Sequence, residues 1–321
     1  MNLPIPSASV TAPTLPDVEA AAVRIGPHVH RTPVFTSRLL DAWAGAELLC
    51  KCENLQRVGA FKIRGATNAV RSLTDDEAAR GVVAHSSGNH GAALALAASD
   101  RGIAAHVVMP ANATAAKLAA VAAYGARITL CEPTLASRES TLAAVVADTG
   151  AIEIHPFDDD RIIAGAGTAA LELLDDVPAL DTVVAPVGGG GLLSGTAIAV
   201  TGRSPATRVV GAEPSAVDDA HRSLTTGARQ PPTGSPTIAD GLRTALSDRT
   251  FAVITAHVEG IVTVDEDAIV AAMRVVWERM KLIIEPSAAG AVAAIATGQV
   301  PGRRIGVILS GGNVDLDALP F

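Results

Sequence analysis

Lysine is scarce in this sequence. There are four, Lys51, Lys62, Lys117 and Lys281, and the other basic residues are arginine. Chemistry that needs a titratable, imine-forming amine must use one of them, because a guanidinium stays protonated. Lys62 is flanked by apolar Phe61 and Ile63 in FKIRGA. Apolar neighbours desolvate an ammonium and make the free amine accessible. A lysine that lays its stem on an apolar surface and keeps its head in water is the competing account. Lys51 lies in an apolar strand, Lys117 in an Ala-rich helix and Lys281 at a helix end, so all three are weaker candidates.

Three further segments carry polar chemistry. Gly188, Gly189, Gly190 and Gly191 follow the apolar run TVVAPV and precede LLSGTAIAV. Consecutive glycines before a helix start let the backbone approach an anion, and the helix offers unpaired N–H groups there. A tight turn without a ligand is the alternative. No Gly-Lys-Ser/Thr follows and no dinucleotide fingerprint is present. HSSGNHG (His85 to Gly91) joins a strand to a helix. Its hydroxyls and N–H groups suit a carboxylate, or form an ordinary capped turn. Ser310-Gly311-Gly312-Asn313 follows the strand RIGVIL. A hydroxyl there could bond a ring nitrogen without protonating it, though a plain turn reads the same alone. Together the four segments offer an amine, a phosphate cradle, a carboxylate nest and a neutral hydrogen bond. Pyridoxal phosphate needs an imine-forming lysine, a phosphate site and a partner for its pyridine nitrogen.

The elements that must position these groups alternate. GVVAHSS, IAAHVVMP and RITLCE read as strands between the helical stretches GAALALAASDRG, TAAKLAAVAAYGA and LASRESTLAAVVADTG. A second series runs through TAALELLDDV, TVVAPV, LLSGTAIAVTG, RVVGAEP, a helix over 266–281 and RIGVIL. Helices are also predicted over 62–73 and 75–80, and from an N-cap at Asp17, with residues 1–16 a loose tail. The alternation predicts an α/β protein with two doubly wound parallel-sheet lobes and a cleft between them. The chain has 321 residues, 49% of them hydrophobic and 18% charged, with a net charge of −8. That fits a globular protein acting on small molecules. Acidity and 2% aromatics argue against nucleic acid. Three cysteines without zinc spacing, no signal-peptide pattern and no membrane span predict a cytoplasmic protein.

The chain resembles the serine/threonine dehydratase and serine racemase family of fold-type II pyridoxal phosphate enzymes. The matching segments are ENLQRVGAFKIRGA, SSGNHG, HPFDDDRIIAGAGT, PVGGGGLLSG, GAEPSAVDD, TIADGLRT, WERMKLIIEPSAAGA and LSGGN, in the family's order from about residue 31 onward. The resemblance implies a tryptophan synthase β-like fold, with a small domain over 81–157 inserted in a large domain of 1–80 and 158–321. It implies that Lys62 is the Schiff-base lysine, that Phe61 packs beside the cofactor and that Asn89 bonds its phenolic oxygen. Gly188, Gly189, Gly190, Gly191 and Leu192 would hold the phosphate, and Ser310 would meet the pyridine nitrogen. Ser86, Ser87, Asn89 and His90 match the loop that grips the substrate carboxylate. Ser87 also matches the hydroxyl that faces the lysine in racemases.

By the same resemblance, Glu213, Asp219 and the carbonyl of Val217 form a site for Mg²⁺ or Ca²⁺. Without it, the two acids read as solvated loop residues. Arg138 matches an arginine that could bind a second carboxylate, or is a helix-surface residue. The implied activity is β-elimination from L-serine or L-threonine, giving a 2-keto acid and ammonia. Serine racemisation, a 3-hydroxyaspartate ammonia-lyase and a silent cofactor-binding protein are the alternatives. A homodimer is the family expectation, and a C-terminal regulatory domain is not expected. Phe157 stands where animal racemases carry Asn, which favours the dehydratases. Ala166 replaces a more usual Gln.

Overall fold

The computed structural model describes residues 11–86 and 88–321. Its strands are β1 (Val34–Phe35), β2 (Glu47–Lys51), β3 (Val82–His85), β4 (Ala105–Pro110), β5 (Arg127–Cys131), β6 (Ile152–Glu153), β7 (Thr182–Pro186), β8 (Arg208–Pro214), β9 (Gly260–Val264) and β10 (Arg304–Ile308). Its helices are α1 (Leu15–Ile25), α2 (Arg38–Ala44), α3 (Lys62–Arg71), α4 (Asp75–Ala79), α5 (Asn89–Arg101), α6 (Ala115–Ala123), α7 (Leu135–Thr149), α8 (Asp160–Asp176), α9 (Gly191–Arg203), α10 (Asp219–Thr226), α11 (Asp248–His257), α12 (Glu266–Met280) and α13 (Pro286–Ala296).

The fold is α/β with two sheets. The larger has the order β1-β2-β10-β7-β8-β9 and the smaller β5-β4-β3-β6. All pairings in them are parallel except that of β1 with β2. Central β7 is buried at every position, as a parallel strand covered on both faces must be. Val183 and Ala185 pack with Ile163, Leu173 and Leu193, while Val184 points the other way, toward Leu40, Met273 and Val292. The period of two thus divides α1, α8, α9 and α11 from α2, α12 and α13. In the smaller sheet, Val82 and Ala84 face α3 and α5, and Val83 faces α7.

The first helix starts earlier than the sequence reading placed it. Thr14 is the N-cap and Asp17 is the third helical residue. Asp17 Oδ2 accepts from the Thr14 N–H at 2.8 Å and its hydroxyl at 2.7 Å. Asp17 closes a capping box rather than heading the helix, so Leu15 and Pro16 leave the supposed tail.

Strand order decides where a ligand can sit. β7 is followed in the sheet by β8 and β9 on one side and flanked by β10 on the other. Likewise β3 lies between β4 and β6. Such reversals open a crevice at the carboxyl ends of the strands. Gly188–Gly191 leaves β7, Ser310–Asn313 leaves β10, HSSGNHG leaves β3 and His155–Phe157 leaves β6. The chemistry-bearing segments therefore flank the two reversals.

Candidate active site

Lys62 opens α3 on a helix start that has no side-chain cap. Tertiary bonds hold it instead. The Phe61 N–H donates to the Ser310 carbonyl at 3.0 Å, and Ala60 bridges to Gly311. The amine of half-buried Lys62 donates to the carbonyl of Pro156 at 2.8 Å and lies 5.1 Å from the centre of the Phe61 ring. Burial pulls its pKa down to about 8, against the nearby negative charge of Glu285.

The residue after Pro156 covers the glycine run. A Cβ on Gly189 would collide with the Phe157 ring, and one on Gly190 would lie 2.7 Å from Thr250 Cβ. Gly190 also has φ +87°, which an L side chain resists, and it caps α9. The first-turn N–H groups of α9 have no intrahelical acceptor. The hydroxyl of Ser310, itself 3% exposed, has no hydrogen-bond partner among the described residues. An amine, an uncommitted helix start and an uncommitted hydroxyl are thus linked through Pro156–Phe157 and through Phe61.

The family described as "Pyridoxal-phosphate dependent enzyme" matches residues 25–311. The chain belongs to this family. It is 49% identical to the beta-hydroxyaspartate dehydratase of Paracoccus denitrificans, over 96% of this chain and 99% of that one. The solved structure of maize serine racemase matches with a TM-score of 0.94 and 44% identity, covering 96% of this chain and 95% of that one. A solved threonine deaminase from T.th. matches with a TM-score of 0.89 and 44% identity, covering 95% and 99%. The donors present could hold this family's cofactor: the Lys62 amine could bond it, the start of α9 could meet a phosphate and Ser310 could meet a ring nitrogen.

Other sequence-predicted residues are placed less simply. Asn89 begins α5, and its amide donates to both oxygens of Glu285, at 3.0 and 3.1 Å. Ser86 Oγ accepts from the Gly88 N–H at 3.3 Å. Ser87 lies outside the described residues. His90 is buried and its Nε2 donates to the Ile154 carbonyl at 3.0 Å. Burial pulls its pKa to about 3, so the ring is neutral and ties α5 to the exit of β6. Arg138, on α7, has a buried Nε without a partner among the described residues, and its charge helps to lower the pKa of His85. The His85 ring stands edge-on to His155 at 6.3 Å, and His155 to Phe157 at 4.6 Å.

Glu213 is the next-to-last residue of β8 and Asp219 begins α10, both 1% exposed. Glu213 accepts from the N–H groups of Ala220 at 2.9 Å and His221 at 2.8 Å. Neither carboxylate oxygen of Asp219 has a partner among the described residues. Burial pushes Glu213 up to about 8 and Asp219 to about 6. Val217 lies in the single turn Ser215–Val217 between them. The unpartnered oxygens of Asp219 could meet a divalent cation, while both Glu213 oxygens already accept from N–H groups.

Sequence reasoning missed Glu285 and the Pro156 carbonyl, and it named Asn313 only as part of its segment, with no role of its own. Asn313 Nδ2 donates to Asn89 Oδ1 at 2.9 Å and to the Val58 carbonyl at 2.7 Å. Glu285 caps α13 just before Pro286, an ordinary helix start that hides any further role. A main-chain carbonyl leaves no mark on residue type.

Proposed function

We propose that this enzyme catalyses β-elimination from a small 3-hydroxy amino acid, releasing a 2-keto acid and ammonia. One observation carries the reading. Lys62 is a half-buried amine aimed by the Pro156 carbonyl, with a pKa pulled down to about 8. A useful fraction is then free base near neutrality, able to take the substrate's α-proton. Pyridoxal phosphate, when bound, supplies the electron sink that makes that proton removable.

Phe61, Asn89, Gly188, Gly189, Gly190, Gly191, Leu192 and Ser310 would hold the cofactor, and Lys62 would bond it covalently. The neutral hydroxyl of Ser310 would accept or donate a hydrogen bond at the ring nitrogen without forcing a proton onto it, which would favour loss of the β-hydroxyl over return of the α-proton. Ser86, Ser87 and Asn89 receive the substrate carboxylate, and His90 braces their loop. Residues 81–157 close over the substrate as a unit. Glu213, Asp219 and the Val217 carbonyl would bind Mg²⁺ or Ca²⁺, a reading supported by the unpartnered oxygens of Asp219.

Arg138 favours a second, narrower reading. An uncommitted guanidinium nitrogen beside His85 suits a second carboxylate, so 3-hydroxyaspartate is the substrate to test first. Racemisation, named for several relatives, would instead need Ser87 to work opposite Lys62.

The test follows keto acid, ammonia and D-serine from L-serine, L-threonine and L-threo-3-hydroxyaspartate, with and without Mg²⁺. Keto acid matched by ammonia, and lost in Lys62→Ala, supports the lyase. D-serine in excess of keto acid overturns it in favour of the racemase. Arg138→Met should lower kcat/KM for 3-hydroxyaspartate by about 10–100-fold and leave L-serine nearly unchanged, the scale of one charged hydrogen bond.

A further inference from the structure

Glu285 is a buried carboxylate with no cation in salt-bridge contact among the described residues. It is 8% exposed. Both of its oxygens accept from Asn89 Nδ2, and Oε2 also accepts from the Asn313 N–H at 3.3 Å. Its own N–H donates to the Gly311 carbonyl at 3.0 Å. Gly311 admits the carboxylate, since a Cβ there would lie 2.6 Å from Glu285 Oε1. The group therefore joins the first residue of α5 to the loop after β10, across the cleft.

We propose that Glu285 is a positioning residue that orients the Asn89 amide and fastens α5 to the Ser310–Asn313 loop, setting the geometry of the cofactor cleft. This rests on the cofactor part of the functional reading above. Donors and acceptors decide the orientation. Asn89 Oδ1 is taken by Asn313 Nδ2, so its NH₂ end must face Glu285. An ionised carboxylate can accept from Asn89 and from the Asn313 N–H together. A glutamine would turn an NH₂ group toward one of these donors.

A carboxylate is an expensive way to build a plain framework contact. Desolvation and the charge of Asp240 push the pKa of Glu285 up to about 7. Asn89, the Asn313 N–H and Lys117 oppose this, and Lys62 faces it from α3. A raised carboxylate pKa means that stability is complete below the unfolded value and is lost as pH rises through about 7. The fold is thus weakened near neutrality by a group it keeps, a pattern typical of functional sites.

The experiment compares the wild type with Glu285→Gln in two measurements. In the cofactor-free chain, the variant should melt roughly 2 °C higher at pH 8, and the difference should shrink through pH 7 and vanish below pH 4.5. In an absorbance titration with pyridoxal phosphate at pH 8, it should bind about tenfold more weakly, the effect of one lost charged hydrogen bond. The affinity ratio should shrink below pH 7, where wild-type Glu285 is protonated. The Glu285 charge raises the Lys62 pKa, so the variant's amine is freer at pH 8, which by itself strengthens imine formation and works against the expected loss. Asn313→Ala, which frees Asn89 Oδ1, should weaken cofactor binding without the gain in melting temperature. A Glu285→Gln variant that melts lower at pH 8, fails to fold, or binds the cofactor with unchanged affinity overturns the proposal. Neither measurement uses a substrate, so failure of the lyase assay would leave this result standing.

Discussion

Glu53 and Glu172 each lie within 2.8 Å of a nitrogen of Arg64, and Glu172 also lies 2.6 Å from the amine of Lys51. Arg64, Glu53 and Lys51 are fully buried. The Arg64 guanidinium also reaches the Thr168 hydroxyl and the His30 carbonyl, so this cluster satisfies its donors and balances its charges. At the other extreme, Asp219 is as deeply buried and has neither oxygen bonded, and Glu213 beside it is met only by backbone N–H groups. Glu285 resembles the second group more than the first. Buried acids in the first cluster serve the framework, because their cations come with the fold. Those in the second are left incomplete, and incompleteness is what a ligand can relieve.

If that contrast is right, removing a cation from the first cluster has the largest effect. Arg64→Met leaves Glu53 buried and uncompensated and should lower unfolding free energy by about 3–5 kcal/mol in a denaturant titration. A loss below ~1 kcal/mol would break the comparison. Supplying a cation to the second cluster comes next. Mg²⁺ or Ca²⁺ at a hundred times its dissociation constant should stabilise the fold by about 2.7 kcal/mol, seen as a rise in melting temperature. Asp219→Asn should abolish that response. If the variant keeps the full response, the cation binds elsewhere. The smallest effect belongs to the pair Lys117–Asp240, 2.6 Å apart but 40% and 53% exposed. Asp240→Asn should change stability by less than about 1 kcal/mol, and the change should fade in high salt.

Local pattern made much of the molecule legible. The alternation of short apolar runs with Ala-rich stretches signalled parallel sheets, since a strand buried on both faces has little room for polar residues. Lys62 stood out because lysines are few, and the glycine run because four adjacent glycines weaken a chain unless something must come close. Motif order then linked the segments. The later elements were less clear. The sequence pattern does not mark β9 or the helices α10, α11 and α13, and it marks only the second half of α8. In α8 and α13, buried small residues such as Gly165, Ala166, Ala288 and Gly290 blur the 3.6-residue pattern, because a helix apolar on nearly every side shows no polar face.

Residue type and spacing by themselves determined the α/β architecture, the amine that can do chemistry and the turns that can receive an anion. These depend on side-chain periodicity and on the conformational freedom of glycine, which are local. Only tertiary structure decided that Pro156 aims Lys62, that Phe157 covers Gly189, and that Glu285 meets Asn89 from 196 residues away. It also decided which acids receive cations. Glu53 finds Arg64 eleven residues on and Glu172 finds it 108 residues back, while Asp219 finds no partner among the described residues. Such partners are chosen by how sheets and helices pack, and burial then sets the strength of each interaction, so neither is visible in a chain whose charges still stand in water.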